Sequence, residues 1–220
     1  MKINSFTKSY GDKLALSMPE LDLDPSKIYA VIGANGSGKS TLARVLSGVI
    51  RPDGPWDAPK EKIGCLPQRS YAFSMTVIKN LLLNTSDRQR AESLLEKLGM
   101  AHLKNKKASR LSGGETQKLA LARLLAGTYD CIILDEPTSS MDVSSTLTSE
   151  KLIRSYVEET GCGAVVITHS IPQAERLADE VLYLAGGELV EWGKKDILRN
   201  PQTPELVNYL NFSALRKEAT

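Results

Sequence analysis

Residues 33–41 read GANGSGKST and match the pattern G-x-x-x-x-G-K-[ST]. What flanks them decides the fold. KIYAVIG, residues 27–33, is a short, β-branched and nearly continuous apolar run, as a strand covered on both faces would be. STLARVLSGV, residues 40–49, follows with a helical pattern that Gly48 stops. Strand, glycine-rich turn and helix in that order make a phosphate-binding loop. The glycines let the backbone curl so that successive N–H groups face one concavity. The helix behind adds the positive end of its dipole. Lys39 offers a point charge to the β- and γ-phosphates, and the Ser40 hydroxyl is a ligand for Mg²⁺. Gly33, Asn35, Gly36, Ser37, Gly38, Lys39, Ser40 and Thr41 are therefore expected to bind nucleotide.

Working outward, further strand-like runs end in polar groups. CIILDEP, residues 131–137, closes an apolar strand with two carboxylates. Adjacent acids ending a buried strand are costly unless they serve an ion or a proton. Asp135 suits the Mg²⁺ shell, and Glu136 is then placed to activate an attacking water. The plainer alternative is that both acids cap the next loop. AVVITH, residues 164–169, ends at His169, a candidate donor to a γ-phosphate; KIGCLPQ, residues 62–68, ends at Gln68, an amide able to touch Mg²⁺ or the water. In an open parallel sheet such strand C-termini line the ligand crevice. VLYLA, residues 181–185, is one more strand, and Gly186-Gly187 turns it into ELVEW as a hairpin. Helical stretches fall around 144–159 and 172–178. Strand and helix alternation predicts an α/β fold with a largely parallel central sheet.

Between about Thr76 and Arg110 the strand signals vanish, and Leu94, Leu95 and Leu98 recur at helical spacing before Gly99. A small helical insertion is expected there. It ends at LSGGETQKLALAR, residues 111–123, a helix that begins with Ser112 and two poor helix formers, Gly113 and Gly114. Ser112 reads either as a plain cap or as part of a surface kept bare for an anion. Past Lys194 the tail carries two short helix candidates separated by Pro201 and Pro204. Tyr10, before Gly11, is either an ordinary loop tyrosine or a face for an adenine ring.

Composition bounds these readings. The 220 residues are 41% hydrophobic and 25% charged, with 28 basic against 26 acidic side chains. That balance gives no broad electrostatic case for nucleic acid, and none is expected as a partner. The local run of Lys104, Lys106, Lys107 and Arg110 reads as a solvated loop ahead of a basic patch. No apolar run approaches the roughly 20 residues that span a bilayer, and MKINSFTKSYGDK lacks the apolar core of a signal peptide. A cytoplasmic protein is expected, reaching the membrane only through a partner. The three cysteines suit neither a zinc site nor a disulfide framework, and buried, reduced thiols are expected.

The chain resembles the ATP-binding subunits of ABC transporters over nearly its whole length. The motifs run in the family's order: the A-loop tyrosine (Tyr10), Walker A (GANGSGKST), the Q-loop (Gln68), the signature LSGGE (111–115), Walker B (CIILDE), the D-loop (SSMD, 139–142) and the switch histidine (His169). The resemblance implies a single P-loop NTPase domain over 1–220 with a mostly parallel central sheet, a trimmed antiparallel part and a helical subdomain inserted at about 72–111. It implies ATP and Mg²⁺ as ligands, with Ser40, Gln68 and Asp135 at the metal and Lys39, Gln68, Glu136 and His169 in catalysis. A second copy of the chain would complete each site. Ser112, Gly113 and Gly114 would donate to a γ-phosphate held by the other copy, and Asp142 would link the two sites. Membrane-spanning permease subunits would dock on the segment after Gln68, where Tyr71 and Phe73 look exposed, and an extracytoplasmic solute-binding protein would deliver the solute. The chain departs from the family's commoner residues at Ala34, Ser26, Lys118 and the D-loop, and none of these removes a catalytic group. The span from Lys39 to Gln68 is short for the family.

Within the family the chain looks like a stand-alone prokaryotic importer component. SKIYAVIGANGSGKSTLARVLSG and the compact length resemble importers of oxyanions such as tungstate or molybdate. Metal-cation importers share the shortened span before Gln68. Soluble ABC proteins of repair or translation usually carry paired domains or long coiled-coil insertions. A P-loop kinase should lack LSGGE.

Overall fold

The structure is a computed structural model that describes residues 1–218, with side chains described through residue 213. Its chain opens with strand β1 (Lys2–Ile3), a hairpin of β2 (Phe6–Tyr10) and β3 (Lys13–Met18), and β4 (Leu21–Asp22). The apolar runs predict a first strand only at residue 27, and this hairpin corrects that expectation. Its cue is a period-two pattern: Phe6, Leu16 and Met18 are buried while their neighbours are less so. Tyr10 accordingly ends a strand and pairs with Lys13 across the turn.

The core strands are β5 (Ile28–Ile32), β6 (Ile63–Leu66), β7 (Cys131–Asp135), β8 (Gly163–Ile167) and β9 (Glu180–Ala185), with β10 (Glu188–Lys194) folding back from β9. One eight-stranded sheet runs β2-β3-β10-β9-β5-β8-β7-β6. The stretch from β9 to β6 is parallel, and β9–β10 and β2–β3 are antiparallel. Every residue of β5, β7 and β8 is buried, as expected for strands covered on both faces. The alternation sorts them: Ile132 and Leu134 of β7 join one apolar cluster, Cys131 and Ile133 the other. The β9–β10 turn carries Gly186 and Gly187 at φ 58° and 86°, which a two-residue hairpin needs.

Seven helices dress the described sheet: α1 (Lys39–Leu46), α2 (Val77–Leu81), α3 (Arg88–Lys97), α4 (Gly113–Ala126), α5 (Val143–Thr160), α6 (Ile171–Leu177) and α7 (Pro204–Glu218). Helix α1 covers one face with the β1–β4 segment, and α4 and α5 cover the other. Helices α2 and α3, inserted between β6 and α4, pack Val77, Leu81 and Leu95 into the same cluster as Leu121 of α4 and Ile132 of β7. The inserted helices therefore share the sheet's core. Between α1 and β6 only an isolated bridge, Thr7 to Asp53, has strand pairing among the described residues. The tail differs from its expectation. A 3-10 turn (Lys195–Leu198) precedes one long helix, and Pro204 is the first residue of α7 instead of a separator, a position where its missing N–H is harmless. Cys131 and Cys162 are buried free thiols, pushed up by desolvation to about 12 and about 11; Cys65 is half-buried and also free.

Candidate functional site

The C-terminal ends of β5, β6 and β7 open onto a cleft of about 720 Å³. Tyr10, Asn35, Gly36, Gly38, Lys39, Ser40, Thr41, Gln68, Asp135 and Glu136 line it. Sequence positions up to 126 apart in the chain thus meet because parallel strands put all their C-termini on one edge. Gly38 caps α1 in the left-handed region at φ 101°, and a Cβ there would meet Leu16 Cδ1 at 2.8 Å and Ala15 O at 2.9 Å. No side chain caps α1 and no acid stands in its first turn, so its leading N–H groups face the cleft unshielded.

Lys39 is buried and folds back on its own loop, donating from Nζ to the carbonyls of Gly33 and Ala34 at 2.8 Å each. Burial pulls its ammonium below the ordinary lysine range, and the carboxylates of Glu136 and Asp135 oppose that. Burial likewise pushes the Asp135 carboxyl up, against a hydrogen bond from Ser40. Ser40 and Asp135 therefore sit together in the cleft, with Gln68 also lining it. Hydroxyl, carboxylate and amide oxygens form a hard donor set that fits Mg²⁺.

Glu136 is the one non-glycine residue with positive φ among those described, at 52°. Such strain costs on the order of 1–3 kcal/mol and persists only where the surroundings fix it. Here both sides of the residue are held. Its N–H donates to Ile167 O at 2.9 Å, and its carbonyl accepts from Gln117 Nε2 at 2.8 Å. The carboxylate Oε1 accepts from the His169 backbone N–H at 3.0 Å and lies 2.7 Å from His169 Nδ1. With Glu136 ionised, Nδ1 is the donor, which leaves Nε2 free on a ring that is 68% exposed. His169 reaches the cleft through Glu136 and is not among its lining residues.

Gln117 carries no motif in the sequence that marks it as part of the site. Within α4 it is 3% exposed, and its amide uses both ends. Besides Glu136 it donates to Ser139 Oγ at 3.3 Å and accepts from the Ser140 N–H at 2.8 Å. A polar residue in the first turns of an amphipathic helix carries no pattern that marks it as buried.

Ser112, Gly113, Gly114 and Asp142 do not line the cleft of their own chain. Ser112 caps α4 in a reciprocal box with Glu115: its Oγ accepts from Glu115 N at 3.2 Å, and its N–H donates to Glu115 Oε2 at 2.7 Å. The two glycines differ. A Cβ on Gly113 would meet nothing within 4 Å, whereas one on Gly114 would lie 2.8 Å from Ser140 O. Gly113 is open to an approaching group, and Gly114 is needed for packing within the chain. Asp142 caps α5, accepting from Ser145 N at 2.8 Å and Ser145 Oγ at 2.7 Å. Tyr71 and Phe73 are exposed, at 55% and 40%, beside a groove of about 310 Å³ between β6 and α4, and both rings flank the guanidinium of Arg123.

Comparisons with known proteins point to one family. The sequence profile described as "ABC transporter" matches residues 16–139. The tungstate uptake system ATP-binding protein TupC of Peptoclostridium acidaminophilum is 35% identical over 86% of this chain and 96% of its own length. The arginine transport ATP-binding protein ArtM of Bacillus subtilis is 31% identical over 96% of this chain and 98% of its own. Among solved structures, the dimeric post-hydrolysis state of the ATP-binding cassette MJ0796 bound to ADP and Pi superposes with a TM-score of 0.76 at 27% identity, covering 88% of this chain and 98% of that one.

Proposed function

The chain belongs to the ABC transporter family, and from that premise we propose that it is the ATP-hydrolysing subunit of an importer for an oxyanion such as tungstate or molybdate. The observation that carries the enzymatic part is the meeting of the phosphate loop, Asp135 and Glu136 in one cleft at the strand ends. The unshielded start of α1 and the ammonium of Lys39 hold the β- and γ-phosphates. Tyr10, 51% exposed at the rim, offers its face to the base. Ser40, Asp135 and Gln68 would hold Mg²⁺, which would supply positive charge against the phosphates. Glu136 takes the proton of the attacking water; His169 holds its carboxylate and contacts the γ-phosphate.

A second copy closes the site. The open start of α4 at Gly113 then meets the γ-phosphate bound by the first copy, and Asp142 links the two sites. The inserted helices carry the motion to permease subunits seated on the groove beside Tyr71 and Phe73. No described helix is long and apolar enough to cross a membrane; this reading assigns transport to separate permease subunits, with the chain at the inner face of the membrane. The oxyanion is supported by the name of the tungstate relative. Tungsten and molybdenum content of cells lacking this gene, measured by mass spectrometry, tests it. Lost accumulation restored by the wild-type gene, but not by a Glu136→Gln copy, is the expected result. Unchanged content of both metals would overturn the oxyanion assignment.

A further inference from the structure

Helix α7 is fastened to the sheet at its start, and from its middle Tyr209 reaches the phosphate loop. Glu191 of β10 accepts from Gln202 N at 3.0 Å, Thr203 N at 2.9 Å and Thr203 Oγ1 at 2.6 Å. Leu206 is fully buried against β9. The Tyr183 hydroxyl donates to Glu205 O at 3.1 Å, and its ring lies 5.3 Å from that of Tyr209. The Tyr209 hydroxyl stands 3.4 Å from the carbonyl oxygen of Gly33. That oxygen is the one to which Lys39 Nζ donates at 2.8 Å.

The two carbonyls that hold Lys39 differ in their access to water. Ala34 is exposed, so solvent replaces the ammonium there once Lys39 turns to a phosphate. Gly33 is buried and wedged against β9, where a Cβ would lie 2.2 Å from Leu184 O. A buried acceptor stripped of its donor is expensive. We propose that Tyr209 is a positioning residue for nucleotide binding, whose hydroxyl, already within reach of the Gly33 carbonyl, is the donor left to it when Lys39 leaves for the phosphates. The inference rests on reading the cleft as an ATP site. Burial holds the phenol above its ordinary range, so it stays a donor at neutral pH. The C-terminal helix thereby sets the affinity for nucleotide from outside the cleft.

Tyr209→Phe keeps the ring against Tyr183 and removes only the hydroxyl. Because Lys39 occupies the carbonyl in the absence of nucleotide, the thermal midpoint without ATP should not change. The Kd for MgATP and the KM should rise by about 3- to 10-fold, the worth of one hydrogen bond to a buried carbonyl. The upward thermal shift on adding ATP should shrink, and kcat at saturating ATP should hold. Wild-type Kd and KM in Tyr209→Phe would overturn the proposal. So would a lower midpoint without nucleotide at unchanged affinity, or a fall in kcat at unchanged KM. A wild-type chain that binds no ATP would overturn this and the ATP-site reading together; wild-type binding with an unaffected variant overturns this alone.

Discussion

Asp135 sits where its charge is costly. Burial raises its carboxyl above the usual 3.8, so the folded protein binds that proton more tightly than the unfolded chain does. For a raised acid the sign is a penalty: ionised Asp135 destabilises the fold at neutral pH, and the penalty fades as pH falls through the raised value toward 3.8. Asp135→Asn should therefore raise the thermal midpoint without nucleotide at pH 7, converge on wild type in acid, and lose Mg²⁺-dependent hydrolysis. Thermal scans across pH check it; a lower midpoint at pH 7 would contradict it. The signature glycines separate at the same scale. Gly113→Val should spare ATP binding and abolish hydrolysis, because nothing in its own chain opposes the side chain. Gly114→Ala forces Ser140 to shift and should cost about 1–3 kcal/mol by chemical denaturation before any second copy is involved. The sequence could not distinguish the two, since both follow Ser112 in one motif, and only the fold shows which has a carbonyl above it.

Helix α4 ties two motifs within one chain. Its first residues carry the signature, and one turn on Gln117 holds the Glu136 carbonyl and the Ser140 N–H. Gln117→Leu is close in volume but leaves both groups without that amide. It should cost about 1–3 kcal/mol, and turnover should fall more than ATP affinity because Glu136 relies on that hold to keep its strained φ. Equal kcat in wild type and variant would contradict the assignment. At this scale the chain was legible wherever burial is two-sided: the runs that became β5, β7, β8 and β9 are apolar without interruption. The β2–β3 hairpin was not legible, because its inward residues Phe6, Leu16 and Met18 alternate with small or polar ones such as Thr7, Ala15 and Ser17 and no continuous apolar run announces it. Pro204 misled for a local reason, since the same proline separates two helices or starts one depending on what buries Leu206.

For the whole molecule, the cleft of one chain gathers Asn35, Gly36, Gly38, Lys39, Ser40 and Thr41 of the loop with Asp135 and Glu136, while Gly33 and Ser37 of the loop, and Ser112, Gly113 and Asp142, are not among its lining residues. On the proposed reading a site divided in this way is completed by a second copy, with ATP between the two. Strand-end polar groups were readable because a parallel sheet gathers its C-termini regardless of their distance in sequence. What a single chain cannot display is the surface that faces its copy, and for that reason the signature appears in the fold only as a capped helix with one open glycine. The most direct test is sedimentation velocity on Glu136→Gln with and without MgATP. The account predicts a monomer without nucleotide and a dimer with it, with Gly113→Val added to the same chain remaining monomeric. A Glu136→Gln protein that binds ATP yet stays monomeric at high concentration would contradict the shared site.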